Sequence, residues 1–370
     1  MTEPTDSDVR SVLRRWLDDE RPAELAPLTA AGSFSGAALW RVVAWNAPYV
    51  LRRWPRSMTP QRLAAIHGLQ EALARGGAPV PRPLPVLRES ITVLVDRGDE
   101  WFEHQQWAAY QRRATLVVDA GAVWELADWR PGDASYWRDP RPAKLAAAMT
   151  TLARLHVAAA AVRTPDRAAA PADLPSPALA ERRRRLQELQ DHQLDELRRA
   201  AVAWPAPHEQ PLIRRTVELL RAAWPHAWAA VVNLGHAPLP VQWTLRDIWH
   251  DHVLFTGDAV TGIVDFGAAA VDSPAGDVAR LTGSLVGDDP DRRRQALDAY
   301  QSVRPLAHRE LSAVAALDLS GTVLAAANWV GWLQQGVVPA ARRDAALERL
   351  ERLVERLAAA ARRPPAMVVE

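Results

Sequence analysis

Two aspartates carry the residue types that chemistry needs. Asp247 lies in Leu245-Arg246-Asp247-Ile248-Trp249-His250-Asp251-His252-Val253-Leu254-Phe255, and Asp265 lies in Ile263-Val264-Asp265-Phe266-Gly267. Between them the sequence reads as a strand (Val253 to Phe255), a turn (Thr256-Gly257-Asp258) and a second strand (Val260 to Val264). A hairpin of that length folds back on itself and can bring both carboxylates to one end. One carboxylate to receive or orient a proton and one to hold a divalent cation is the minimum set for phosphoryl transfer. Either aspartate alone reads equally well as a turn or cap residue. The ordered combination of Arg-Asp, hairpin and Asp-Phe-Gly is the stronger signal. His250-Asp251-His252 with Asp247 offers a different chemistry, a small metal cluster for hydrolysis. No second histidine motif stands at a spacing that would complete it.

The elements that must position these residues follow from periodicity. Asp6 to Asp19 has Val9, Val12, Leu13 and Trp16 at helical spacing. A glycine-serine turn, Gly32-Ser33-Phe34-Ser35-Gly36, precedes two strand-like runs, Leu39 to Trp45 and Tyr49 to Trp54. Arg62 to Arg75 is a helix ended by Gly76-Gly77. Four short strands follow over Ile91 to Val95, Trp101 to Trp107, Thr115 to Val118 and Val123 to Leu126. Trp129-Arg130-Pro131-Gly132 breaks the pattern and serves as a linker. Beyond it the chain is mostly helical: Pro142 to Ala161, Leu179 to Trp204, Leu212 to Trp228, and four further segments after residue 277. Ala168 to Pro177 reads as a loop. The run Arg182-Arg183-Arg184-Arg185 is flanked by acidic residues and reads as a solvated helix face. The expected division is 1–128, β-rich, and 129–363, α-rich.

Composition narrows the class. The 370 residues are 48% hydrophobic, which is enough for a large core and two lobes. A net charge of +1 provides no global field for nucleic acid or anionic membrane. Cysteine is absent, so disulfides and thiolate metal sites are excluded. No uninterrupted apolar run reaches membrane-span length, and the polar start lacks a signal-peptide core, so a cytoplasmic protein is the expectation. Lys144 is the single lysine. Any cationic phosphate contact upstream of it must be arginine, which stays charged and can grip phosphate bidentately.

In this order, over roughly residues 28–340, the chain resembles the aminoglycoside phosphotransferase family of the protein-kinase-like superfamily. The resemblance is best over Leu245 to Leu281 and over Gly121 to His156, which contains Trp124-Glu125-Leu126-Ala127-Asp128-Trp129-Arg130-Pro131-Gly132 and Leu152-Ala153-Arg154-Leu155-His156. It implies an α+β, two-lobed protein-kinase-like fold, with a small β-rich N-terminal lobe and a large α-rich C-terminal lobe. It further implies ATP or GTP between the lobes, a divalent cation (magnesium or manganese), and a hydroxyl of a small-molecule acceptor as the target. Asp247 would be the catalytic base, and Asp265 the main metal ligand. Gly32, Ser33, Phe34, Ser35 and Gly36 would cover the phosphates, Arg52 would bind them, and the backbones of Glu125 and Leu126 would meet the nucleobase.

Three positions depart from the family pattern. Leu245 stands in place of the motif histidine. His252 stands where the pattern has an asparagine metal ligand, and an imidazole would favour manganese or zinc over magnesium. The helix after Arg52 should supply that arginine with a glutamate, but it carries Ile66 and His67 there, with Glu71 a turn later. These departures keep a second reading open, a pseudokinase-like binding module that holds nucleotide without transfer. Asp277, at a helix start, reads as a structural cap. The acidic residues of the α-rich lobe suit an amino sugar or amino alcohol as acceptor. Some of the sixteen tryptophans could line a pocket for a cation, although most read as core.

Overall fold

The computed structural model describes residues 4–17, 22, 24–28, 37–87, 114–163, 172–235 and 237–362. It divides into two compact units, Met1–Gly132 with Thr261–Gly267, and Asp133–Val260 with Ala268–Glu370. The first break falls at the end of the expected linker. The Asp-Phe-Gly segment, by contrast, packs with the N-terminal unit although the chain around it belongs to the other.

The N-terminal unit is built on an antiparallel five-stranded sheet. Its strands are β1 (Glu24–Pro27), β2 (Ala38–Ala44), β3 (Ala47–Arg53), β4 (Leu116–Asp119) and β5 (Ala122–Asp128), in the spatial order β1-β2-β3-β5-β4. Trp45 (φ 48°) and Asn46 (φ 57°) join β2 to β3. Left-handed backbone at both central residues matches the right-handed twist of the flanking strands. Helix α1 (Asp6–Leu17) buries Val9, Val12, Leu13 and Trp16, as its 3.6-residue spacing requires. These side chains join Leu51, Trp124 and Leu126 in the core. Helix α2 (Pro60–Arg75) starts where Thr59 Oγ1 accepts the N–H of Arg62 and Pro60 fixes the first turn. The strands expected at Ile91 to Val95 and Trp101 to Trp107 lie outside the described residues.

The C-terminal unit is helical around a small sheet. Its helices are α3 (Pro142–Ala160), α4 (Pro177–Glu188), α5 (Leu194–Val202), α6 (Gln210–Leu234), α7 (Ala275–Val286), α8 (Pro290–Gln301), α9 (His308–Gln334) and α10 (Arg343–Ala361). The helix expected over Leu179 to Trp204 is α4 and α5, joined by a π-helical turn at Leu189–Gln193. Residues from α4, α6, α9 and α10, among them Leu186, Leu220, Val323 and Leu350, form the main core. Helix α9 is long and apolar enough to cross a membrane by length and composition, although charged residues interrupt its sequence. Its most apolar window is 78% buried within the protein, as in a core helix.

Three strands in this unit were not expected. Strand β7 (Pro238–Thr244) pairs with β6 (Ala172–Pro175) on one side and β10 (Ala270–Asp272) on the other, all antiparallel. Part of the expected loop at Ala168 to Pro177 is therefore strand. The hairpin foreseen between the two aspartates is present as β8 (Val253–Thr256) and β9 (Ala259–Ile263), turning at Gly257.

Candidate active site

In the N-terminal unit, Arg52 near the end of β3 gathers two carboxylates. Its Nη1 lies 3.2 Å from Asp265 Oδ1, and its Nε lies 3.6 Å from Glu125 Oε1. Arg52 and Glu125 are direct cross-strand partners and so project from the same sheet face. Arg53 takes the other face, over the Trp124 ring. Glu125 is buried and also meets His67 Nε2 at 2.5 Å, while His67 Nδ1 meets Thr115 Oγ1 at 2.7 Å. Burial alone would raise the Glu125 pKa. The hydrogen bond and charge of His67, with the charge of Arg52, outweigh it and hold the carboxyl below its usual range. The glutamate that Arg52 needs thus comes from β5, and α2 contributes His67 as its second partner.

Asp265 has φ 64°, left-handed backbone that few non-glycine residues adopt. Its segment is fixed within this unit on several sides. Ile263 N–H donates to Pro79 O, Arg62 donates to Gly267 O, and Arg130 donates to Thr261 O. Gly267 is needed for close approach: a Cβ there would lie 2.7 Å from Cζ3 of Trp54. Asp265 supplies a hard carboxylate oxygen with a guanidinium beside it. That donor chemistry fits a cation that keeps most of its shell as water and phosphate oxygens, as magnesium does.

In the C-terminal unit, the loop after β7 carries Asp247. Asp277, on the first turn of α7, accepts the N–H groups of Leu245 and Arg246 at 2.7 Å each, and His156 Nε2 lies 3.1 Å from its Oδ2. His156 is itself placed by Tyr300 OH at 2.8 Å. Arg246 has φ 63°, so the residue before Asp247 also adopts left-handed backbone. Leu245 is buried and anchors the loop by packing. Asp277 therefore does not act as the helix cap expected from its position; it fixes the loop that carries Asp247. The carboxylate of Asp247 is paired with Arg280 of α7.

Next to this loop lies a cavity of about 470 Å³. Arg182, Arg246, Asp272, Asp277, Arg280 and Arg356 are among its walls. Trp249 is the one tryptophan among the described residues that line it. Trp329 is core, and Trp137 stacks on His250 with ring centroids 3.5 Å apart.

The surroundings of His252 are specific. The indole N–H of Trp249 donates to His252 Nε2 at 2.8 Å, and His252 Nδ1 lies 2.9 Å from the carbonyl of Asp247. An indole only donates and a carbonyl only accepts, so Nδ1 carries the proton and the lone pair of Nε2 is engaged. The ring braces the loop of Asp247 through both of its nitrogens. His250 is held similarly: Ser284 Oγ accepts its backbone N–H at 2.8 Å and lies 2.9 Å from Nδ1, and Nε2 faces Asp251. The His250-Asp251-His252 cluster is thus a brace, not a ligand set. Glu125 contributes its side chain to Arg52, and the Leu126 carbonyl accepts from Leu84 N–H at 2.7 Å. Gly32, Ser33, Phe34, Ser35 and Gly36 lie outside the described residues.

Comparison with known proteins places this geometry in a family. The model of the phosphotransferase enzyme family (APH) matches residues 28–317, and the chain belongs to that family. The fold is shared with an aminoglycoside phosphotransferase from Alicyclobacillus acidocaldarius. That match has TM-score 0.62 and 15% identity, and covers 98% of this chain and 96% of that one. A spectinomycin phosphotransferase matches with TM-score 0.60 and 10% identity, covering 97% and 99%. Among curated proteins, a homoserine kinase from Rhizobium johnstonii is 32% identical over 110 residues, which is 28% of this chain and 31% of that protein. The match thus spans under a third of that relative's length.

Proposed function

We propose that the protein is a small-molecule kinase that moves the γ-phosphoryl group of ATP or GTP to a hydroxyl of a small polar acceptor. The observation that carries this reading is the pairing of Asp265 with Arg52. It sets a carboxylate able to bear a divalent cation beside a permanent positive charge suited to phosphate. A divalent cation bound by Asp265 would neutralise phosphate charge. Asp247 receives or orients the acceptor's hydroxyl proton. The acceptor oxygen then bonds to the γ-phosphorus as its bond to the β-phosphate oxygen breaks, and the nucleoside diphosphate leaves. The protein's contribution is positioning and fixed charge.

The test is thermal shift with ATP and with GTP, each with magnesium, with manganese and without metal. A nucleotide at about 100 times its dissociation constant adds roughly 2.7 kcal/mol to the folded state. A metal-dependent shift that disappears in Asp265→Ala supports the kinase reading, and no shift with either nucleotide sinks it. One observation favours the second reading, a nucleotide-binding module without transfer: both ring nitrogens of His252 are hydrogen-bonded within the protein. A gain of turnover in His252→Asn would favour that reading; a loss of existing turnover would favour the kinase.

A further inference from the structure

Five arginines and four carboxylates line the cavity of the C-terminal unit, and most of the carboxylate oxygens are engaged within the protein. Asp277 holds backbone N–H groups and faces His156. Asp318 holds both Arg293 and Arg356. Glu181 turns both oxygens to Arg184, at 2.8 and 3.0 Å. Asp272 accepts from Ser176 Oγ, Ala178 N–H and Ser273 N–H, all at Oδ1, whereas among the described residues its buried Oδ2 accepts no hydrogen bond and has Arg246 Nε 3.6 Å away. Among the arginines, Arg280 is on Asp247, Arg356 on Asp318, and Arg185 donates to Asn328.

Arg182 is different. Among the described residues it makes no ion pair and no hydrogen bond. Burial, and then the charges of Arg280, Arg185 and Arg246, lower its pKa to about 10, against a weaker opposing effect of Glu181. It therefore remains charged at neutral pH. Arg182 is half-buried in the cavity wall, and a cation partly withdrawn from water without a hydrogen-bonded counter-charge is disfavoured, a cost that arginine does not escape by losing its proton near neutrality. An incoming anion supplies the missing partner. The planar guanidinium matches a carboxylate, which it can hold with two parallel hydrogen bonds.

We infer that the acceptor is a small hydroxy acid whose carboxylate binds Arg182 in this cavity. The inference rests on the kinase reading for the hydroxyl, but the anion site stands on the cavity itself. It reverses the amino-sugar or amino-alcohol preference suggested by the acidic residues of the sequence.

The test is a matched set of probes measured by calorimetry and by phosphoryl transfer from ATP with magnesium. L-Serine, L-homoserine and 4-hydroxybutyrate carry the carboxylate. 3-Aminopropan-1-ol is homoserine without it, and glycerol 3-phosphate replaces it with phosphate. At least one hydroxy acid should bind, and removing the carboxylate should weaken binding by about 10- to 100-fold, the range for a hydrogen-bonded charge. Arg182→Gln should raise the acceptor KM by a similar factor without changing the thermal shift given by ATP, and Arg182→Lys should recover part of the loss. Equal or tighter binding of 3-aminopropan-1-ol overturns the inference. So does binding of glycerol 3-phosphate alone, or of none of the hydroxy acids, or an Arg182→Gln variant that still discriminates. If hydroxy acids bind through Arg182 but nothing is phosphorylated and ATP gives no shift, the anion site stands and the kinase reading fails.

Discussion

Arg52 and Glu125 face each other across β3 and β5, with the guanidinium Nε 3.6 Å from the carboxylate. This pair replaces the contact from a helix glutamate that the family resemblance leads one to expect, and His67 on α2 completes it from the other side. The ionic partner of Arg52 is therefore part of the sheet and moves with it. It does not depend on how α2 is placed.

Glu125→Gln should be strongly destabilising, because it removes the charge that two buried cationic or polar partners face. Breaking a buried pair by neutralising one member costs about 3–5 kcal/mol. Urea unfolding should show the midpoint falling with an unchanged slope. The same group gives an acid dependence. Its folded pKa is depressed, so its contribution is present above the unfolded value of 4.5 and is lost as pH falls through the folded value. That acid-labile component should be missing in Glu125→Gln.

Gly267→Ala tests the packing under the Asp-Phe-Gly turn. The added methyl would meet the Trp54 ring at 2.7 and 2.9 Å, so Trp54 or the turn must shift. Overpacking of this kind costs about 1–3 kcal/mol. Because Trp54 also lies under the Arg52 guanidinium, at 4.6 Å from ring centroid to Cζ, the shift should weaken metal-dependent nucleotide binding as well. Adding Trp54→Leu should restore part of the stability lost in Gly267→Ala, measured as a positive coupling in a double-mutant cycle.

The periodic elements were legible in the sequence, and the long-range polar contacts were not. Amphipathic α1, the β2–β3 pair and the β8–β9 hairpin follow from local spacing and turn residues. Strands β6 and β7 are short and interrupted by proline, at Pro175, Pro238 and Pro240, so they carry little strand signal. Arg182 and Arg185 lie three residues apart on one face of α4 and line the cavity, whereas Arg183 and Arg184 are exposed. The solvated face expected of that run therefore describes only half of it. Asp277 looked like a cap because nothing in a linear sequence links it to Leu245 N–H or to His156. His252 stands at the position of a metal ligand in the family pattern, and nothing in the linear sequence shows that the Trp249 indole and the Asp247 carbonyl hold its two nitrogens.

His250 should give stability a second pH dependence, one that begins at higher pH than that of Glu125. Burial first, and then the charges of Arg349 and Arg352, lower the pKa of His250 to about 3. The folded protein keeps this ring neutral, while the unfolded chain's histidine takes a proton near pH 6.5. Acid thus favours the unfolded state. The contribution is full above 6.5 and falls toward pH 3, at on the order of 1.4 kcal/mol per pH unit. Trp137→Ala, which opens one face of the ring, should raise the pKa and flatten that slope. The check is a histidine NMR titration alongside denaturant unfolding at several pH values. A His250 signal titrating near 6.5 in the folded wild type would refute the account.

Asp277→Ala separates loop positioning from folding at the proposed centre. The substitution removes the acceptor of two backbone N–H groups, each at 2.7 Å, and the partner of buried His156. Hydrogen bonds to a charged group contribute about 1.5–3 kcal/mol each, so a stability loss of a few kcal/mol is expected. A purely structural residue would lower the folded fraction and leave turnover per folded molecule unchanged. Here the residues freed are those immediately before Asp247, one of them in left-handed backbone. Misplacing a catalytic group by about 1 Å can cost roughly 100-fold in rate. Turnover per folded molecule should therefore fall by about that factor while the KM for nucleotide changes little. Asp277→Asn keeps one carbonyl acceptor and should retain more of both stability and rate. Equal turnover per folded molecule in wild type and Asp277→Ala would remove Asp277 from the positioning of Asp247.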